Sequence, residues 1–299
     1  MPQSAAEVFR DFVRYTGDGL PGEPVNAPLP HGDPASGTHH PTKRDMRELI
    51  EYVVSLPAIP VQEMTGSVSS KAYGVDGAAI QTAIDAVAAL GGGTVLVPAG
   101  SYTISSPITL KPRVKVQGVG FPELRFGAGI RMFQGSGISE AEVTGFRVSG
   151  NGQTTGSFVR LENTKGCKVR GNVLTDCPST DNGSIHVFGS TGAENNEVSD
   201  NIVTGSLGNA IGLIGSGSRR NRVDGNSINN CVGFGVFVAG GAHRNTITRN
   251  RTTSNGIELV GVTVKSDHNI ISQNHAEGCG DNGISVTSDY CVVVGNHCY

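Results

Sequence analysis

The chain has 299 residues, enough for one or two domains with a sizeable core, and it contains 43 glycines and no tryptophan. Its formal net charge is -3 and only 16% of its residues are charged, which excludes a general attraction for nucleic acid or an anionic membrane. No apolar run approaches the roughly 20 residues of a membrane span, and the N-terminus has no signal-peptide core. We therefore expect a protein made in the cytoplasm, without membrane insertion, that leaves the cell by lysis or as part of a particle.

Residues 1–60 predict two short helices joined by an extended strap. Possible capping boxes open both helices, and apolar residues follow them at helical spacing. The strap, residues 16–41, contains six prolines and five glycines, so it cannot bury enough surface to fold alone. Its three histidines leave a metal site possible but unsupported, and we predict no metal or cofactor. Such a segment can wrap a partner surface and order on contact; the alternative is a flexible leader or linker.

A cap helix is predicted at about residues 77–90, at the start of a second domain spanning residues 61–299. Three glycines from Gly91 end the helix. An open end of stacked strands exposes core and unpaired backbone, so an amphipathic helix there is expected to cover it. Strand-forming coils are expected from about residue 94 to residue 299. The apolar face of the helix consists of Ile80, Ala83, Ile84 and Val87.

Asparagines recur through the second half of the chain at spacings of 29, 25, 24, 24 and 22 residues. A period of this length is typical of a solenoid, either a leucine-rich repeat or a parallel β-helix. Leucine is scarce and valine and isoleucine fill the strand positions, which favours an all-β solenoid, a single-stranded right-handed parallel β-helix. We expect coils about 4.8 Å apart and an asparagine ladder inside a turn. The recurring residues are Asn172, Asn201, Asn226, Asn250, Asn274 and Asn296.

A second strand follows each asparagine and predicts four columns of side chains. Two columns point inward, because strand side chains alternate: Ile185, Ile211, Val236, Ile257, Ile284 and Val187, Leu213, Val238, Leu259, Val286. Between them, pointing outward, are His186, Gly212, Phe237, Glu258 and Ser285. The next outward column, Phe188, Ile214, Ala239, Val260 and Thr287, is mostly apolar. A continuous apolar stripe usually marks an interface, so its first four members are predicted subunit contacts of a homotrimer; the alternative is a covering loop of the same chain.

Five of the six cysteines predict small buried thiols without disulfides. Cys177, Cys231 and Cys279 share one column in alternate coils, about 10 Å apart, which is too far for a disulfide. Cys167 and Cys291 share another column five coils apart. These positions are consistent with folding in a reducing cytoplasm.

Residues 71–299 resemble the pectate-lyase-like superfamily of parallel β-helices, which includes polysaccharide lyases, epimerases and phage tailspikes. The resemblance lies in YG before a short helix, AIQTAIDA, GGGTV, and VPAGSYTI followed by LKPRVKVQGVG. The usual acidic run before the helix is shortened to VDGA, and no DPHE-type epimerase motif is visible. The segment PTKRDMRELIEY resembles an element near the N-termini of phage tailspikes. That resemblance implies that residues 1–60 attach a spike to a particle.

The predicted coils contain few residues that could catalyse cleavage of a polysaccharide. A hydrolase needs two carboxylates, but Glu258 is the only carboxylate in the predicted outward column, and Asp281 lies one coil on but several residues back. A lyase needs a base beside a neutralising group, and no acidic cluster accompanies His186 or Lys265. Glu258, His186 and Asp281 are therefore weak catalytic candidates. His186, Phe237 and Glu258 are predicted to bind glycan instead, although a site formed between subunits would escape this test.

These observations leave three hypotheses. The first is a spike of a phage or phage-like particle, including one such as a gene transfer agent, which attaches to a head or tail protein and binds cell-surface polysaccharide. The second is a polysaccharide lyase, hydrolase or epimerase, and the third is a structural connector without a ligand. Fold alone does not decide among them.

Overall fold

The computed structural model describes residues 67–70, 76–180 and 182–299. The predicted anchor at residues 1–60 therefore lies outside the described residues. Among the described residues, no helix is long and apolar enough to cross a membrane.

The described chain forms a right-handed parallel β-helix of three long sheets, as predicted. All strands within each sheet run parallel, and each coil contributes strands in the order A, B, C. Sheet A consists of Ser67–Ser69, Gly93–Val97, Val114–Gly118, Glu142–Thr144, Lys168–Arg170, Glu197–Ser199, Arg222–Asp224, Thr246–Thr248, Ile270–Ser272 and Val292–Val294. Sheet B consists of Ser101–Ile104, Glu123–Phe126, Arg147–Ser149, Val173–Thr175, Ile202–Thr204, Ser227–Asn229, Arg251–Thr252, His275–Ala276 and His297–Cys298. Sheet C consists of Ile108–Thr109, Arg131–Ser136, Ser157–Glu162, Ile185–Phe188, Ile211–Ile214, Val236–Ala239, Val260–Val262 and Ile284–Val286. A minor sheet pairs Ala193–Glu194 with Ser218–Arg219.

The cap helix, α1, spans Gly77–Ala89 and confirms the prediction. The Asp76 carboxylate accepts a hydrogen bond from the Ala79 N–H and so caps its first turn. The predicted apolar face is buried. Gly92 then lets the chain turn back, because a Cβ there would lie 2.6 Å from the Arg113 carbonyl oxygen. One strand was not predicted: Ser67–Ser69 precedes the helix and pairs with Gly93–Val97.

The asparagine ladder exists as predicted. Each side-chain amide donates to the carbonyl oxygen of the next asparagine at 2.9–3.0 Å, from Asn172 to Asn296. Each carbonyl oxygen also accepts the previous asparagine's backbone N–H, so the ladder links side chain and main chain in every coil. A second ladder, which the sequence analysis missed, lies before sheet A and consists of Asn196, Asn221, Asn245 and Asn269.

The predicted register is wrong in one coil. Val260 pairs with Val236 and with Ile284, so it occupies the inward position that was assigned to Ile257. This register keeps each step from 236 to 260 to 284 at 24 residues, which matches the 24-residue steps of the ladder from Asn226 to Asn274. Val260 is fully buried, so its assignment to an outer subunit-contact column is corrected. A shift of three residues reverses every side chain, which is why the error moved it to the wrong face.

All six cysteines are free thiols. Cys167, Cys177 and Cys231 are buried. Burial raises the pKa of the Cys231 thiol to about 11 and raises the pKa of Cys177 further. Buried, protonated thiols are inert, so these residues fill space inside the coils.

Candidate functional site

The outward face of sheet C carries the candidate site. Strand pairing aligns one outward residue per coil, and we call this the outer row: Gln134, Arg160, His186, Gly212, Phe237, Gly261 and Ser285. Two residues further along the strands lies the second row: Ser136, Glu162, Phe188, Ile214 and Ala239. Gly261 takes the outer-row position that the sequence analysis gave to Glu258.

A groove crosses the outer row in its first coils. It consists of two adjoining cavities of about 370 and 360 Å³ that share Arg131 and Gln134. Lys111, Arg160 and Glu162 also line the larger cavity. We call these five residues the basic groove, because its described lining contains three cations and one carboxylate, with Asp85 lying 3.6 Å from the Lys111 ammonium. Guanidinium, ammonium and amide groups donate hydrogen bonds, so the groove suits a ligand rich in hydroxyl and carboxylate oxygens.

Two contacts fix the position of the Arg160 side chain. A guanidinium nitrogen lies 3.2 Å from a carboxylate oxygen of Glu162. The guanidinium carbon lies 5.0 Å from the ring centroid of Phe188, a cation–π arrangement. An arginine held this way loses less conformational entropy when it binds a ligand.

The basic groove was not predicted, because the predicted columns of side chains began at residue 185. Phe133, Val159 and Ile185 occupy one inward column at steps of 26 residues. Extending the alignment back by that step places Arg160 and Gln134 beside His186. The signal was therefore present in the spacing of the earlier coils.

His186 lies in the outer row as predicted, but it is only 2% exposed. Its ring centroid lies 5.8 Å from that of Phe188, with the planes tilted by 57°. A ligand bound on this face would therefore contact the residues around His186 and not the imidazole nitrogens. This geometry favours a role for His186 in supporting the face.

Glu258 reaches the same face from the turn before its strand. Its side chain is 4% exposed, with Oε1 lying 3.5 Å from the Asn282 amide nitrogen. Within the described part of the chain, Oε2 is buried without a hydrogen-bond partner. Phe234 and Phe237 stack beside it with centroids 4.9 Å apart. A Cβ on Gly261 would lie 2.4 Å from the Phe234 ring, so the ring covers that glycine.

The separation of the carboxylates bears on hydrolysis. Glu162 and Glu258 lie four coils apart along sheet C, or about 19 Å at the usual spacing between strands. Glycosidases need their two carboxyl groups about 5–9.5 Å apart. Asp281 is exposed, and its neighbour Asn282 makes the contact with Glu258. The structure therefore does not bring Glu162 and Glu258 together as a hydrolytic pair.

Comparisons with known proteins agree with this fold. Over 90 residues, 28% of this chain and 8% of the relative, the sequence is 39% identical to mannuronan C5-epimerase AlgE2 of Azotobacter vinelandii. The structure is similar to ORF18 of Geobacillus virus E2, with a TM-score of 0.61, 14% identity, and coverage of 84% of this chain and 54% of that one. It is also similar to the Dettilon tailspike protein gp208, with a TM-score of 0.57, 17% identity, and coverage of 77% and 50%.

The chain thus spans at most about half the length of these three proteins. At identities of 14% and 17%, the two structural matches demonstrate a shared fold. A family model described as periplasmic copper-binding protein (NosD) matches residues 120–297, which cover most of the β-helix. The chain therefore belongs to the NosD family of parallel β-helix proteins.

Proposed function

We propose that this chain is the spike subunit of a phage or phage-like particle and binds acidic cell-surface polysaccharide along sheet C. The observation that carries the proposal is the basic groove, in which three cations and an amide line about 370 Å³ of open space. A polymer of sugars needs an extended, rigid surface with repeated hydrogen-bonding groups. The stacked coils provide that surface, because the two asparagine ladders fix their spacing.

The similarity to a viral protein and to a tailspike supports the particle role. In this proposal residues 1–60 attach to a head or tail protein, and the particle is a phage or a gene transfer agent. Phe188, Ile214 and Ala239 are half-buried in the second row and form the proposed contact around a threefold axis. The particle would be assembled in the cytoplasm and carry the β-helix on its surface.

The family description names copper, and the described residues do not fit that metal. Copper sites use closely grouped imidazole and sulfur ligands. Within residues 67–70, 76–180 and 182–299, no three His, Cys, Asp or Glu side chains are grouped to hold an ion. One partial grouping is at His275, whose Nε2 lies 3.8 Å from a Glu277 oxygen and whose ring centroid lies 6.5 Å from that of His297. We derive no function from copper.

The alternative function is modification of the polysaccharide by a lyase, a hydrolase or an epimerase. The 39% identity to an epimerase over 90 residues favours it. The wide separation of Glu162 and Glu258 argues against hydrolysis by that pair, whereas the basic groove is compatible with either binding or modification of a uronate.

Binding and catalysis are separated by mixing the full chain with surface polysaccharide from candidate host cells. Light scattering follows polymer length and the mass of the protein, and ultraviolet absorbance follows new double bonds. We expect an intact polymer that co-elutes with a trimer. Shortening would establish a hydrolase and unsaturation a lyase, while proton NMR of the recovered polymer would detect an epimerase from inverted C5 centres. Neither binding nor change would leave a structural connector. Co-sedimentation of the chain with particles tests attachment.

The groove itself is tested with Arg131→Ala. Loss of a hydrogen bond from a charged donor should weaken polysaccharide binding about tenfold or more. The matched control is Arg251→Ala, which removes the same charge from an exposed position on sheet B. Equal affinities for the two variants would refute binding in the basic groove.

A further inference from the structure

A second cleft lies on sheet B, away from the basic groove. Its volume is about 550 Å³, and its lining includes Phe121, Glu123, Arg147, Val173 and Thr175. Glu123, Arg147 and Val173 are aligned neighbours on successive strands, so the cleft runs across the coils. We call it the Phe121 cleft.

Phe121 projects from a turn that is longer than its counterparts. Residues 119–122 separate Val114–Gly118 from Glu123–Phe126, whereas only residues 145–146 separate Glu142–Thr144 from Arg147–Ser149. The backbone φ of Phe121 is 53°, which is a left-handed value. In the next coil Gly145, which likewise lies two residues before the strand of sheet B, has a left-handed φ of 80°. Sixteen other non-glycine residues of the described chain also have a left-handed φ, so this conformation is a common turn feature of the coils, and the choice of an aromatic side chain is what distinguishes Phe121 from most of them. The Phe121 side chain is nevertheless 53% exposed, so burial does not explain its presence.

Polar groups surround the exposed ring. The Arg147 guanidinium carbon lies 5.9 Å from the Phe121 centroid and holds the ring by a cation–π contact. A Glu123 oxygen accepts hydrogen bonds from Arg125 at 2.8 Å and from Ser101 at 3.2 Å. The bond from Arg125 lowers the pKa of Glu123, which therefore stays an ionised acceptor at neutral pH.

We propose that the Phe121 cleft binds one pyranose unit, whose C–H face packs on Phe121 while its hydroxyls bond with Glu123, Arg147 and Thr175. An aromatic face supplies apolar contact, and the carboxylate, guanidinium and hydroxyl provide both acceptors and donors for sugar hydroxyls. The inference rests on the proposed polysaccharide binding and extends it to a second face. Two separate contacts on one rigid body raise the avidity for a long polymer when both are engaged.

Methyl NMR of the full chain distinguishes the two sites. Val173 lines the Phe121 cleft and Ile138 lines the basic groove, so their methyl groups report occupancy of each separately. The probes are hexasaccharides of mannuronan, which is acidic, and of dextran, which is neutral, each at millimolar concentration. We expect Val173 to shift with at least one probe.

The matched variants are Phe121→Gly and Arg131→Ala. Glycine removes the ring and relieves the left-handed backbone, so Phe121→Gly should keep or raise the Tm while weakening the Val173 response about fivefold. Arg131→Ala should leave that response unchanged.

Each pattern of shifts decides between the two sites. Shifts at Ile138 alone would overturn binding in the Phe121 cleft and support binding in the basic groove. Shifts at Val173 alone would support the Phe121 cleft and overturn the basic groove. No shift at either methyl would overturn both. A lower Tm for Phe121→Gly with an unchanged Val173 response would show that the ring is structural.

Discussion

Replacing Asn226 by alanine tests whether the asparagine ladder holds the coils together. The Asn226 side chain is fully buried and accepts two hydrogen bonds from Asn201, one from the backbone N–H and one from the amide, both at 3.0 Å. Its own amide donates to the side-chain oxygen of Asn250 and to the carbonyl of Val198, both at 2.9 Å, and to the carbonyl of Asp224 at 3.2 Å. Alanine removes all five of these bonds.

The magnitude follows from the groups left behind. Two donors of Asn201 lose their acceptor in a site without exposed surface, and each orphaned buried donor costs about 1–3 kcal/mol. The free energy of unfolding should therefore fall by about 2–6 kcal/mol. Asn296→Ala is the matched control, because Asn296 accepts the same two bonds from Asn274 but is only half-buried. Water can replace those bonds, so we expect a cost of about 1 kcal/mol.

Urea unfolding of both variants measures the two costs, and hydrogen exchange of the Asn201 amide gives a local measure. Exchange at Asn201 should accelerate in Asn226→Ala and stay slow in Asn296→Ala. Similar unfolding midpoints for the two variants, or unchanged exchange at Asn201, would refute the reasoning that buried ladder bonds set the stability of the coils.

Three further predictions test the register, the thiols and the buried carboxylate. Val260→Asp should cost about 3 kcal/mol or more in urea unfolding because it buries a charge, whereas Val264→Asp, at a position 62% exposed, should change stability by less than about 0.5 kcal/mol; comparable values would contradict the observed register. At about pH 8 the raised pKa of Cys231 keeps that thiol protonated, so a thiol reagent should label the exposed Cys298 first, and equal labelling rates in the folded chain would disprove its burial. Glu258→Gln replaces a buried carboxylate whose Oε2 has no hydrogen-bond partner among the described residues and should raise the Tm by about 3 °C, whereas a fall would show that the surroundings compensate the carboxylate.

The period predicted the architecture because one physical requirement repeats in every coil. An asparagine in this turn presents both a donor and an acceptor along the stacking direction, and an asparagine in the next coil matches both. Six such residues therefore specify both the stacking and its spacing. The second ladder follows the same rule, but its period was harder to detect in the sequence. Asn196 comes directly after Asn195 in the chain, and the coil before it has Cys167, not an asparagine, at the same position.

The register of one coil was not predictable from hydrophobic pattern alone. Ile257 and Leu259 alternate in the same way as Val260 and Val262, so either pair can fill the two inward positions. The choice depends on hydrogen bonds of the neighbouring coils, which fix a step of 24 residues on both sides. Counting from the ladder, rather than matching apolar residues, would have given the observed pairing.

The candidate site was less predictable than the fold because its residues do not repeat. One position in the turn before sheet C is occupied in successive coils by Asn209, Phe234, Glu258 and Asn282. The Phe234 backbone N–H donates to the Asn209 side chain, and the Asn282 amide contacts Glu258. The basic groove and the Phe121 cleft likewise consist of side chains that are absent from the equivalent positions of most coils. Sequence periodicity detects what successive coils share, and these surfaces are built from what they do not share.

This division follows from the physics of a solenoid. In every coil, the inward side chains pack against those of the neighbouring coils, and the ladder asparagines form hydrogen bonds with them. An outward residue can therefore change without altering the stacking. Phe121 and Glu258 each carry a local cost: an exposed aromatic ring on a left-handed backbone in one case and, among the described residues, a buried carboxylate oxygen without a hydrogen-bond partner in the other. A repeat with glycine or asparagine at those positions would avoid both costs. Where the chain departs from its own repeat at the expense of stability, a ligand is the simplest physical reason, and Phe121 is the position where a variant that keeps or gains stability should lose binding.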